Sequence, residues 1–230
     1  MRHYAQPELI SYRKLQDLGR DYDNAHPTFF ADAVNAGRPD DVAVMLYTSG
    51  TTGKPKGVCQ THAALIAAAA GGASFDKLTE DEDILSYLPM AWVGDNLFSY
   101  AQALVTGFTV NCPESGETVL TDLREIGPTY YFAPPRVFEN MLTSVMIRME
   151  DASAIKRRLF HHFMEVARRV GVDILDRKPV GMLDRLQYAL GNLCIYGPLK
   201  NVLGLSRVRV AYTAGAAIGP DLFRFYRSIG

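Results

Sequence analysis

The chain of 230 residues is poor in cysteine, with three, and has a single tryptophan. Cys59, Cys112 and Cys194 are odd in number, far apart and without Cys-x-x-Cys spacing. That excludes a disulfide framework and a cysteine zinc site, and it fits reduced thiols in a cytoplasmic compartment. Histidine is scarce too, and adjacent His161 and His162 project about 100° apart on a helix, so they do not share one ion. Net charge is only −1, which gives no basic balance for nucleic acid, and no nucleic-acid partner is expected. Long apolar runs are absent. The longest, the small-residue run Ala63 to Ala73, falls well short of the roughly 20 residues a membrane span needs. Met1 to Ile10 is polar and has no apolar core of a secretory leader.

What is present has the rhythm of an α/β fold. Strands are predicted at Val42–Tyr47, Ile84–Leu88, Thr109–Cys112, Tyr130–Ala133 and Val208–Thr213. Helical stretches lie between them, near Thr61–Ala73, Asp95–Leu104, Thr118–Glu125, Pro135–Arg148, Ala152–Val170, Met182–Tyr196 and Pro220–Ser228. Alternation of this kind predicts a mostly parallel sheet flanked by helices. Ser144 to Val210 departs from the rest by being mostly helical and basic, with twelve Lys and Arg against six Asp and Glu. Lys156-Arg157-Arg158 and Arg168-Arg169 alternate with apolar residues. Two readings stay open: a solvated basic helix face, or a face drawn to anionic lipid.

The richest chemistry sits at Tyr47 to Val58, Tyr-Thr-Ser-Gly-Thr-Thr-Gly-Lys-Pro-Lys-Gly-Val. Gly50, Gly53 and Gly57 let backbone N–H groups approach an anion closely. Thr48, Ser49, Thr51 and Thr52 add hydroxyl donors, and Lys54 and Lys56 add the charge a polyphosphate would neutralise. The ordinary P-loop, Gly-x-x-x-x-Gly-Lys-[Ser/Thr], is excluded. Thr48 stands where its first glycine belongs, and Pro55, which has no N–H, stands where its Ser or Thr belongs. A plain glycine-rich surface turn is the alternative.

This run resembles the signature phosphate loop of the AMP-forming, adenylate-forming ligases, a superfamily of acyl-CoA synthetases, luciferases and adenylation domains. The resemblance extends along the chain. Leu85-Ser-Tyr-Leu-Pro-Met-Ala-Trp92 is similar to the family's second core segment, in which an aromatic or His lies near the acyl path. Trp92 here implies a wall or gate with no imidazole role; a core anchor is the other reading. Glu125-Ile-Gly-Pro-Thr129 through Ala133-Pro-Pro-Arg-Val-Phe-Glu139 resembles a further family stretch, in which Arg136 is structural. Val210-Ala-Tyr-Thr-Ala-Gly-Ala-Ala217 resembles the turn whose backbone lies against adenine, at Gly215, Ala216 and Ala217. The helical insertion, about 144–207, is similar to the long-chain fatty-acid–CoA ligase type.

The resemblance implies an enzyme using ATP, a fatty acid and CoA with Mg²⁺, cytoplasmic or peripheral at the inner membrane face. Thr48, Ser49, Thr51, Thr52, Lys54 and Lys56 would surround the β- and γ-phosphates. Residues 1–230 would form a partial AMP-binding domain without the small C-terminal domain. The Tyr-Gly-x-Thr-Glu motif, whose glutamate holds Mg²⁺, the ribose aspartate and the closing lysine are not found in it. The isolated chain is therefore expected to be inactive, and no catalytic residue is assigned within it. The alternative is a noncatalytic module that binds an anion, a nucleotide or a membrane and reuses the fold.

Overall fold

The structure is a computed structural model that describes residues 6, 9–48 and 54–230. Two helices come first, Tyr12–Ala25 and Phe29–Ala36, and neither buries a residue. Ser11 caps the first by accepting the Lys14 N–H at 3.2 Å. Sequence periodicity missed both: polar residues around Arg20 and Asn24 interrupt the first, and the second is only 8 residues long.

β1 (Val42–Thr48) and β2 (Lys56–Thr61) form an antiparallel ribbon, with Leu46 opposite Val58, Tyr47 opposite Gly57 and Thr48 opposite Lys56. Only β1 was legible in the sequence. Pro55 and Gly57 hide β2, since both are poor strand formers. The ribbon's base is sewn to the following helix, His62–Asp76. Asp41 O accepts the His62 N–H at 3.1 Å, Pro39 O accepts the Ala63 N–H at 2.9 Å, and Thr61 Oγ1 caps the Ala64 N–H at 3.2 Å. The small residues of this helix serve close approach: a Cβ on Gly72 would lie 2.6 Å from Gln102 Nε2.

Four short strands carry the centre. β3 (Asp83–Leu85) runs parallel to β4 (Thr109–Asn111), and β5 (Tyr130–Phe132) runs parallel to β6 (Val210–Tyr212). β3 and β5 lie side by side, joined where the Thr129 N–H donates to Asp83 O and the Asp83 N–H to Thr129 Oγ1, both at 2.9 Å. Alternation splits the side chains between two cores. Ile84 and Tyr130 pack with Ala73, Leu78 and Phe108 on one face. Leu85 and Tyr131 pack with Leu123, Phe138 and Met141 on the other.

Helices Pro135–Glu150, Ala154–Val166, Met182–Gly191 and Gly197–Leu203 cover the second face. The sequence predicts unbroken helices at Ala152–Val170 and Met182–Tyr196. The structure instead widens them into π-helical turns at Ala167–Gly171 and Asn192–Tyr196. Crowding accounts for the second: a Cβ on Gly191 would lie 2.6 Å from the Tyr196 ring, which is fully buried and donates its hydroxyl to Phe163 O. A further widened turn, Asn96–Ala101, interrupts the helix expected from Asp95.

Arg209 clamps the sheet to the end of helix His62–Asp76. It donates to Asp76 O at 2.7 Å, to Lys77 O at 3.3 Å and to Glu82 Oε1 through Nε at 3.1 Å. These carbonyls are the free acceptors of a helix C-terminus, where a cation is favourable. Glu82 is only 6% exposed, so removing its partner strands a charge out of water. Arg209→Met is expected to cost about 1–3 kcal/mol in chemical denaturation, tempered because the arginine itself is half exposed. Adding Glu82→Gln should recover part of the loss. A cost below about 0.5 kcal/mol would show that the clamp is not structural.

Candidate functional site

The ribbon presents the glycine-rich segment at its tip. Thr48 and Lys56 face each other across the last pair, and Thr48 Oγ1 donates to Lys56 O at 3.5 Å. Thr48, Lys54, Lys56 and Gly57 are exposed, so their hydroxyl, ammonium and backbone groups are open to an incoming anion. Ser49, Gly50, Thr51, Thr52 and Gly53 lie outside the described residues. Sequence reasoning expected a strand entering a loop. The structure places the loop's flanks on two antiparallel strands, which holds Thr48 and Lys56 in register.

Two further segments leave the carboxyl ends of the parallel strands. The segment after β3 is held by polar groups that sequence reasoning missed. Asp95 is 2% exposed and accepts from Ser86 Oγ at 3.2 Å and Ser99 Oγ at 2.8 Å. Asn96 Nδ2 donates to Met90 O at 3.0 Å, and the Trp92 N–H donates to Pro89 O at 2.8 Å. The available signal was a Gly-Asp-Asn run at the start of an otherwise apolar helix. Gly94 packs so closely that a Cβ would lie 2.6 Å from the Phe132 ring. Trp92 stands out from this braced segment at 54% exposure, which removes the core-anchor reading.

The segment after β6 carries Gly215, Ala216 and Ala217, all exposed. Gly215 has φ 93°, and nothing lies within 4 Å of the place where its Cβ would be. Glycine is needed there for backbone conformation and not for space. Small exposed residues in such a turn leave the main chain open to a flat ring. Thr213 Oγ1, at the root of the turn, is buried without a hydrogen-bond partner among the described residues.

Aromatic side chains bridge the two segments. Phe98 stacks on Phe132 with centroids 4.7 Å apart and meets Tyr212 at 5.5 Å. Tyr87 donates to Phe132 O at 3.3 Å, and the Ala133 N–H donates to Tyr212 O at 3.0 Å. Trp92 and the Gly215 turn thus follow strands of two adjacent parallel pairs, β3 and β6, with β5 between them. The ribbon is not tied to either segment: no hydrogen bond among the described residues joins residues 42–61 to 86–95 or 213–219. Burial pushes the Tyr87 hydroxyl up to about 12; the neighbouring Tyr131 hydroxyl opposes the rise and Asp95 adds to it.

Loops at the carboxyl ends of parallel strands are where open α/β sheets bind ligands, and a Gly/Thr/Lys-rich ribbon is suited to phosphate. The class these features define is a nucleotide-handling α/β domain. Residues 4–230 match the family described as AMP-binding enzyme, and the chain belongs to that family.

Among curated proteins, a long-chain-fatty-acid–CoA ligase of Xenopus laevis is 27% identical over 97% of this chain and 30% of its own length. The long-chain-fatty-acid–CoA ligase FadD15 of Mycobacterium tuberculosis is 32% identical over 94% of this chain and 35% of its own. The chain thus spans about a third of the length of these relatives. The adenylation–carrier didomain of a carboxylic acid reductase from Segniliparus rugosus, solved with AMP, matches 84% of this chain and 23% of its own at 23% identity, TM-score 0.51. The N-terminal domain of FACL13 from Mycobacterium tuberculosis matches 83% of this chain and 35% of its own at 21% identity, TM-score 0.50. These two structures share the fold.

The raised Tyr87 hydroxyl has a consequence for stability. Its folded value, about 12, exceeds the ordinary 10.0, so the folded state holds the proton more tightly. That contribution is fully present below about pH 10 and is lost as pH rises through about 12. Tyr87→Phe should therefore make denaturant midpoints fall less steeply across this window. Burial also lifts Tyr196 to about 12, so part of the decline should persist. Superimposable alkaline profiles for the two proteins would refute the coupling.

Proposed function

We propose that this chain is part of an ATP-dependent, AMP-forming long-chain fatty-acid–CoA ligase. The observation that carries the reading is that Trp92 and the Gly215–Ala217 turn follow the carboxyl ends of two neighbouring parallel strand pairs, in a chain of the AMP-binding enzyme family. The long-chain subclass draws support from its relatives, which are long-chain-fatty-acid–CoA ligases and a long chain acyl-CoA synthetase. Those relatives are enzymes, so the noncatalytic alternative is not favoured.

In this reading a fatty carboxylate, already ionised, attacks the α-phosphate of ATP. The α–β phosphoanhydride breaks, leaving an acyl-adenylate and pyrophosphate. The CoA thiolate then attacks the acyl carbon and displaces AMP. Charge gathers on phosphate oxygens in the first step, so fixed donors and cations there matter most. Thr48, Ser49, Thr51, Thr52, Lys54 and Lys56 supply them to the β- and γ-phosphates, with Gly50, Gly53 and Gly57 shaping the loop. Gly215, Ala216 and Ala217 offer backbone to adenine, and Trp92 walls the acyl path. No general base is required. The described residues hold no group of three or more His, Cys, Asp or Glu suited to a metal, so Mg²⁺ is assigned no ligand here and no step.

Lys54→Ala in the ligase is expected to slow fatty-acid-dependent pyrophosphate exchange about 10²–10³-fold, with fatty-acid affinity little changed. Unchanged exchange together with weakened fatty-acid binding would show that the loop serves the acyl site instead.

The reading includes a cytoplasmic protein that touches the inner face of a membrane through region 144–207. No described helix is long and apolar enough to cross a membrane. Leu183, Leu186, Leu190 and Leu193 are exposed along one face of a helix that also exposes Arg185. Apolar residues with flanking cations suit an anionic lipid surface. Vesicles rich in phosphatidylserine should co-sediment the protein, and Leu186→Glu with Leu190→Glu should release it. Equal sedimentation of both forms would remove the leucine face from the reading.

A further inference from the structure

A cavity of about 430 Å³ opens among helices Val119–Ile126, Pro135–Glu150, Ala154–Val166 and Gly197–Leu203. It shares no lining residue with the strand-end segments or the ribbon. Its floor is apolar and firmly built, because Met141, Val145, Phe160 and Leu203 are buried members of the main core. Its polar lining is one-sided. Arg124, Arg148 and Lys156 line it, and no Asp or Glu does. All three cations are exposed, and none makes an ion pair or a side-chain hydrogen bond among the described residues.

Nearby cations behave differently. Arg157 reaches Glu150, and Arg169 is bound to Asp184 and Gln187. The three cavity cations are thus left without counter-charge beside a greasy trough. A size of about 430 Å³ lies in the range of small-ligand sites, roughly 300–1,000 Å³, and toward its lower end, which favours one chain over two.

We propose that this cavity is a binding site for a single-chain anionic amphiphile, a fatty carboxylate whose tail lies on the Met141–Phe160 floor and whose head meets Arg124, Arg148 and Lys156. The site is separate from the acyl path walled by Trp92 and does not depend on that assignment. Apolar burial of the tail supplies most of the affinity, and the cations select the charged head.

Two natural reporters keep the two sites apart. Cys194 lines the cavity and is exposed, as are Cys59 and Cys112, which do not line it. Trp92 is the single tryptophan, so its emission reports only on the strand-end segment. The experiment measures iodoacetamide alkylation of each cysteine by mass spectrometry in rising monomeric dodecanoate, below its micelle concentration.

Cys194 should be alkylated several-fold more slowly, with Cys59 and Cys112 unchanged. Replacing all three cations, Arg124→Gln, Arg148→Gln and Lys156→Gln, should raise the concentration for half-protection by about tenfold or more, the size of losing a charge-assisted contact. Those side chains are exposed, so the fold should survive, as far-UV circular dichroism would verify. Ser144→Phe, which fills the trough from its exposed wall, should abolish protection.

The proposal is overturned if Cys194 keeps its rate, if dodecanol protects equally, if the cation variant is half-protected at the unsubstituted protein's concentration, or if Ser144→Phe remains protected. Protection by anionic vesicles alone would also overturn it, by making the face a bilayer contact. A change in Trp92 emission with Cys194 unaffected would support the acyl path and refute this site. The converse would support this site and leave the acyl path without support.

Discussion

Thr129 and Asp83 bond to each other in both directions across the line where the two parallel strand pairs meet. Each strand there is only three residues long. Strands so short do not hold a sheet by their own ladders, so the centre relies on this junction and on what braces it. Arg207 pairs with Asp83 at 2.8 Å from one side, and Arg209 reaches the neighbouring Glu82. Tyr130 and Tyr131, the next residues, then point into opposite cores. Direction, register and the division of the interior are all settled within a few residues of this splice, and the strand-end segments inherit their positions from it.

The candidate site follows the same logic on a smaller scale. Asp95 is a carboxylate with hydroxyl partners in place of a cation, and Asn96 grips a backbone carbonyl. Burying such groups is costly unless they are bonded, and the Asp95 carboxylate and the Asn96 amide nitrogen are. Their bonds close the loop after β3 and leave Trp92 facing outward. Polar groups inside thus hold an apolar group outside, the reverse of the usual distribution.

Much of this was legible in the residues. A period-two run marked β1, strands were expected close to β3, β4, β5 and β6, and the glycine-threonine-lysine run marked the ribbon tip. β2 was hidden because its backbone partner, not its composition, makes it a strand. The widened helical turns were hidden because they answer to distant neighbours. The Tyr196 ring that crowds Gly191 is drawn inward by the distant Phe163 O, and nothing local to Gly72 announces Gln102. Asp95 was passed over because a lone aspartate early in a helix ordinarily faces water. The three uncompensated cations come together only when Val119–Ile126 is brought beside the next two helices.

Helix Pro220–Ser228 begins just after the Gly215–Ala217 turn and ends hard against Gly171, where a Cβ would lie 2.0 Å from Ser228 O. Nine residues make a rod about 13 Å long, with a seat that admits no side chain at all. Tyr188 adds a hydrogen bond to Ser228 O at 3.0 Å at the same end. The rod has the geometry of a strut. A push on the turn at one end bears on the widened Ala167–Gly171 segment at the other, and from there on the basic helices that surround the cavity. The absence of a methyl group at Gly171 is what lets the helix seat there, so one rod spans from the Gly215–Ala217 turn to the Ala167–Gly171 segment.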